Sequence, residues 1–154
     1  MPLSGDYEPS TQKWVRDQVA LYEGSGGTQA LTLRDTGLPV VIVTNRGARS
    51  GKLRKTPVMR VEHEGRYAMI TSDGGAAKHP TWYHNLVADP HVELQDRTET
   101  WDMQARVVSG DEREEWWARA VDAFPPYAGY QRRTEREIPV FVLTRRVEGP
   151  EQTT

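Results

Sequence analysis

Residues 40–57 read Val40-Val41-Ile42-Val43-Thr44-Asn45-Arg46-Gly47-Ala48-Arg49-Ser50-Gly51-Lys52-Leu53-Arg54-Lys55-Thr56-Pro57, and this stretch decides the fold. Its first five residues are all β-branched, which predicts a strand buried on both faces. A basic, glycine-containing loop follows from Arg46 to Pro57, and Thr56 to Glu62 reads as the next strand. Strand leads into strand here, not into a helix. That excludes a nucleoside-triphosphate loop, and the spacing agrees. Gly47 and Gly51 are separated by three residues, and Leu53 rather than Ser or Thr follows Lys52, so the magnesium ligand is missing.

Outward from that stretch, Ser10 to Glu23 has Val15, Val19 and Tyr22 at helical spacing. This amphipathic helix can pack on the body or lie on a membrane surface. Downstream, Tyr67 to Ser72 pairs as a hairpin with Thr56 to Glu62 across the turn His63-Glu64-Gly65-Arg66. Pro80 suits the first turn of a helix through Ala88. His91 to Gln95 and Trp101 to Val108 alternate like a second hairpin. Ser109 with Glu112 resembles a capping box, opening a helix with Trp117, Val121 and Phe124 on one face. Pro125 and Pro126 stop that helix. Ile138 to Leu143 is a last strand, placed at an edge by Pro139. About six strands in hairpins with inserted helices predict an α+β fold, mainly β, closed as an antiparallel barrel. The expected division is a helix and connector at 1–30, a barrel domain at 31–147 and a disordered tail at 148–154.

The chain has 154 residues, which suits one core. It has no cysteine, which excludes disulfides, thiolate metal sites and a cysteine nucleophile, and fits a reducing cytoplasm. Its four histidines show no metal-ligand spacing, so no metal site is expected. No apolar run is long enough to span a membrane. The net charge of −2 hides an asymmetry: residues 36–61 carry Arg46, Arg49, Lys52, Arg54, Lys55 and Arg60 and no acid. A basic patch on an otherwise acidic chain points to one anionic ligand rather than to a nucleic-acid surface.

Within the loop, Arg49 and Arg54 can make bidentate contacts to phosphate, Ser50 and Thr56 add hydroxyls, and the glycines permit an anion nest of backbone amides. A second segment, Thr71-Ser72-Asp73-Gly74-Gly75-Ala76-Ala77-Lys78-His79-Pro80-Thr81-Trp82-Tyr83-His84-Asn85-Leu86, joins a strand end to a helix start and forms a second wall.

These two segments, followed by Phe124-Pro125-Pro126-Tyr127-Ala128-Gly129-Tyr130, resemble the deazaflavin-dependent nitroreductase and quinone reductase family, which uses coenzyme F420. The resemblance runs from about Leu38 to about Leu143. It implies a split β-barrel like those of FMN-binding and deazaflavin-dependent reductases. It also implies that Arg49, Ser50 and Arg54 bind the coenzyme's tail phosphate and that Pro57 shapes the channel. Ile70, Thr71 and Ser72 would flank the deazaflavin ring. Thr81, Trp82 and Asn85 would contact the coenzyme from the helix, and Tyr127 and Tyr130 would close over the acceptor. Ala48, Lys55, Thr56 and Asp73 complete the implied coenzyme-contacting set. Ala48 stands where the family often has Arg, and Asp73 where some members have a base. Lys52 and Lys55 are the candidates to compensate. The implied activity is hydride transfer to quinone-like, conjugated or nitroaromatic acceptors, with Ser72 or Tyr130 as hydrogen-bond donors to the acceptor oxygen. Tyr127 and Tyr130 read equally well as packing residues. The alternatives are a non-catalytic coenzyme carrier, an FMN-binding split barrel and a nucleic-acid barrel. The implied location is cytoplasmic, with peripheral contact at the inner face of the membrane through the N-terminal helix as an option.

Overall fold

The first strand extends two residues beyond Thr44, through Asn45 and Arg46. The computed structural model describes residues 3–33, 36–48, 50–70, 81–135 and 137–146, and at 81 and 82 the backbone only. In it β1 spans Val40–Arg46 and β2 spans Leu53–Met59. They pair antiparallel, from Val40 opposite Met59 to Arg46 opposite Leu53. The basic loop therefore shrinks to residues 47–52. Leu53, Arg54 and Lys55 join a strand because β1 offers a ladder, which overrides their weak intrinsic preference.

The expected hairpin of 56–62 with 67–72 is not formed. β2 takes β1 as its partner, and only the short β3 (Glu62–His63) pairs with β4 (Arg66–Ile70). Its turn residues Glu64 and Gly65 both have positive φ, 53° and 80°, as a two-residue hairpin turn requires. The second expected hairpin is present as β5 (His91–Asp96) and β6 (Glu99–Val108). The last strand, β7 (Val140–Arg145), is not at an edge: it lies between β6 and β4 and bonds to both. Pro139 just precedes it, so no ladder N–H is lost.

The sheet order is β2-β1-β5-β6-β7-β4-β3, with antiparallel pairing throughout. Its two end strands, β2 and β3, are consecutive in the chain and separated by Arg60 and Val61 alone. A sheet whose opposite ends are joined by two residues must curl round on itself. The Arg60 amide donates to the Pro39 carbonyl (3.0 Å), and the Ala68 amide to the Val61 carbonyl (2.9 Å). Across the inside, the Tyr67 hydroxyl on β4 donates to Asp96 on β5 at 2.6 Å, although β6 and β7 lie between those strands in the sheet. The result is a split β-barrel.

Each face of the curled sheet has its own core. Val41, Val43, Met69, Leu94, Met103, Phe141 and Leu143 fill the inner one, to which α2 (Thr81–Ala88) adds Leu86. Val40, Ile42, Ile70, Val140 and Val142 face outward beneath α1 (Lys13–Gly24), α3 (Gly110–Ala123) and α4 (Pro126–Arg132). α1 turns Val15, Val19 and Tyr22 onto the sheet. Its apolar stripe is thus packed against the body. Among the described residues no helix is long and apolar enough to cross a membrane.

α3 departs from its expected details. Ser109 sits at the N-cap but makes no side-chain cap bond, and Glu112 is held by Arg106 on β6 (2.9 and 2.5 Å), so the expected capping box is not formed. The buried stripe is Arg113, Trp116 and Ala120, one residue round from the expected Trp117, Val121 and Phe124, which are half-buried at its flank. Both stripes satisfy helical spacing, and docking on the sheet selects between them. The two prolines end α3, and Pro126 opens α4 at its first turn, a helix the sequence reading lacked.

Candidate active site

The loop at 47–52 closes on its own amides. Gly47 N donates to the Lys52 carbonyl (2.8 Å), Gly51 N to the Gly47 carbonyl (2.9 Å) and Lys52 N to Ser50 Oγ (3.1 Å). Ala48 N donates to Asn85 Oδ1 on α2 (3.0 Å). These four amides are used within the protein, so the expected nest of outward-facing amides is not built from them. The side chains of Ser50 and Arg54 offer anion donors beside them. Gly51 adopts φ 73°, which favours glycine.

Register sorts the loop's flanking side chains. Asn45 pairs with Arg54 and Val43 with Thr56, so Arg54 and Thr56 share the inner face. Lys55 and Pro57 alternate to the outer face, toward α1. There Lys55 Nζ is 2.5 Å from Glu23 of α1, and Pro57 is buried. Arg46 braces the loop, donating to the carbonyls of Gly51 (2.8 Å) and Ser4 (2.9 Å), with Asp89 at the end of α2 3.6 Å away.

A cleft of about 430 Å³ opens between this loop and α2, lined by Glu8, Gly47, Ala48, Ser50, Arg54, His84 and Asn85. The structure thereby brings together four of the sequence candidates: Ala48, Ser50, Arg54 and Asn85. Asn85 is buried and holds the loop. His84 is exposed and also lines the cleft. Asn45 is 3% exposed, and its Nδ2 has no hydrogen-bond partner among the described residues. The Arg54 guanidinium and the Ser50 hydroxyl on one cleft fit a phosphate-bearing ligand. The sequence reading missed Glu8, and it counted Arg46 in the basic loop without its bracing role. Glu8 reaches the cleft from far along the chain, and no local pattern marks it.

Other candidates lie elsewhere. Ile70 ends β4 in the outer core, leading to residue 71. Tyr127 is 6% exposed and sits with Phe124, Trp117 and Tyr130 in an aromatic group, its ring 4.9 Å from that of Phe124. Burial pushes its hydroxyl pKa well up. This group belongs to the outer core, on the opposite sheet face from Arg54. Arg49, Thr71, Ser72 and Asp73, with the side chains of Thr81 and Trp82, lie outside the described residues, as does the tail from 148. No group of three or more His, Asp or Glu suited to a metal ion occurs among the described residues.

Comparison with known proteins supplies the family. The family model described as F420H(2)-dependent quinone reductase matches residues 14–145. The chain is 33% identical over 136 residues to an F420H(2)-dependent quinone reductase of Mycobacterium tuberculosis, covering 86% of this chain and 90% of that protein. It superposes with a TM-score of 0.66 on the structure of an F420-H2 dependent reductase (FDR-A), at 53% identity, over 68% of this chain and 93% of the other. A solved structure described as a domain-swapped dimer gives 0.68 at 47% identity, over 87% and 99%. The chain therefore belongs to the F420H(2)-dependent quinone reductase family, an oxidoreductase family whose coenzyme is F420.

Proposed function

We propose that this chain reduces quinone-like acceptors with reduced F420, and that the cleft between the 47–52 loop and α2 holds the coenzyme's phosphate. The observation that carries the site is the convergence of Arg54 and Ser50 on a cleft whose loop is locked by Asn85. When bound, the coenzyme supplies a hydride to an acceptor. In this reading Arg54 and Ser50, with Arg49, grip the phosphate, and Thr56 lies on the same side. In the same reading Ile70, Thr71, Ser72 and Asp73 flank the ring, and Thr81 and Trp82 contact the coenzyme. Ser72 or Tyr130 donates a hydrogen bond to the acceptor oxygen as charge develops there. Tyr127 serves by packing, since its ring is enclosed by aromatic neighbours. Lys55 and Pro57 support the channel from behind. A peripheral membrane contact would use outer residues of α1, among them Leu21, which is 48% exposed.

The test compares two adjacent cations. Arg54→Ala weakens F420 binding by about tenfold or more, as expected for a charge-assisted contact to phosphate. Lys55→Ala, whose side chain points to α1, leaves affinity within about twofold. Fluorescence titration reads both, and reoxidation of the reduced coenzyme by menadione reads turnover. Equal affinities for Arg54→Ala and the parent protein would refute the site. Tight binding with no quinone-dependent reoxidation would make the protein a carrier.

A further inference from the structure

The cleft assigned to an anion contains a carboxylate. Glu8 Oε1 lies 3.8 Å from Arg54 Nη1, both side chains being less than half exposed. At that distance the two attract without a direct hydrogen bond. Glu8 is held there by its backbone. Its amide donates to the Leu53 carbonyl (2.9 Å), the Leu53 amide donates to the Asp6 carbonyl (2.7 Å), and Tyr7 bridges Leu53 in parallel. Residues 4–8 thus form a strap along the free edge of β2, the standard way to cover an open sheet edge.

The strap and α1 together engage all three cations that flank the loop. Arg46 donates to the Ser4 carbonyl, Lys55 pairs with Glu23 at 2.5 Å beneath the Tyr7 ring, and Arg54 faces Glu8. The first two contacts are short and lie away from the cleft lining. The third is the longest, and both of its partners line the cleft. It is the contact an incoming anion meets.

We propose that Glu8 is an internal counter-ion that occupies Arg54 in the coenzyme-free protein and is displaced by the anionic group of the ligand. This rests on the reading of the cleft as the phosphate site. Displacement needs only rotation of the Glu8 side chain, because the strap is anchored through main-chain bonds. Glu8 also sets a threshold. A phosphate that can take two guanidinium hydrogens at once displaces a carboxylate held without any, whereas a single weakly placed carboxylate gains little by the exchange.

The experiment is a double-mutant cycle on the full chain, with F420 affinity read by fluorescence titration for the parent, Glu8→Gln, Arg54→Ala and the double variant. Glu8→Gln keeps size and exposure, and a thermal melt checks that it folds. The expected result is about two- to fivefold tighter binding for Glu8→Gln, the range a partly exposed ion pair commands, and no such gain in the Arg54→Ala background. Unchanged or weaker binding for Glu8→Gln overturns the displacement, and the latter would make Glu8 a positioning residue for Arg54. Equal tightening in both backgrounds also overturns it, because Glu8 would then act through its general field. If Arg54→Ala weakens binding while Glu8→Gln is neutral, only this inference fails. If Arg54→Ala binds like the parent, the cleft assignment fails first and takes the inference with it.

Discussion

Gly51 and Gly27 show how one residue type meets two different constraints. Gly51 has φ 73° with open space where a Cβ would stand. Gly51→Ala meets conformational strain alone, about 1–2 kcal/mol, or a fall in Tm of about 2–8 °C for a chain of this size. Gly27 has φ 80°, and a Cβ there would lie 1.7 Å from the Arg97 carbonyl oxygen. That neighbour is backbone and cannot swing aside, so Gly27→Ala costs several times more. Urea unfolding of the two variants checks the order; equal midpoints would show that the close approach is not what matters at Gly27. The basic loop illustrates the same scale. Its charge and its glycines are plain in the sequence, but which cation faces the cleft is a matter of strand parity. Arg54 and Lys55 are adjacent, and alternation sends one to the inner face and the other to Glu23.

At the scale of elements, α3 depends on a residue whose type suggested the surface. Arg113 is 5% exposed, donates to the Ile138 carbonyl at 2.8 Å and lies 4.9 Å from the Trp117 ring. Gln131 on α4 reaches the same place, accepting from the Ile138 amide at 2.9 Å. The two hydrogen bonds to Ile138 fasten α3 and α4 to the chain entering β7. Arg113→Met keeps most of the apolar stem and strands the Ile138 carbonyl, so stability falls by about 1–3 kcal/mol. A urea midpoint equal to that of the parent would sink this assignment. The periodicity of α3 was readable, but its phase was not, since two stripes one residue apart both met the spacing rule. The short α4 escaped notice because a seven-residue segment opened by proline carries too little period to separate it from a turn.

At the scale of the whole molecule, closure of the barrel is tied to a group of enclosed tyrosines. Tyr67 bonds Asp96, which also accepts from Arg60 at 2.9 Å in the two-residue joint between the sheet's ends. Tyr22 of α1 accepts from the Arg97 amide at 2.7 Å and donates to the Val40 carbonyl at 3.2 Å. Burial, the largest cause in each case, holds the hydroxyls of Tyr22, Tyr67 and Tyr127 above the ordinary pKa of 10.0. Because the folded values are raised, the unfolded chain loses these protons first. Stability is fully present below about pH 10 and falls above it, by up to about 1.4 kcal/mol per pH unit for each tyrosine. Urea midpoints measured from about pH 8 to about pH 11 test this, and Tyr127→Phe makes the decline shallower. A midpoint that holds level across that range would contradict it. The sequence by itself determined the strand-rich class, the basic loop between strands and the family resemblance, because composition, period and motif are local properties. The tertiary structure alone decided that β2 pairs with β1, that β7 is an interior strand, that α1 packs on the sheet and that Glu8 faces Arg54. Those are choices of partner between distant segments. They are settled by which pairing closes the sheet and buries both of its faces, and no local pattern encodes that.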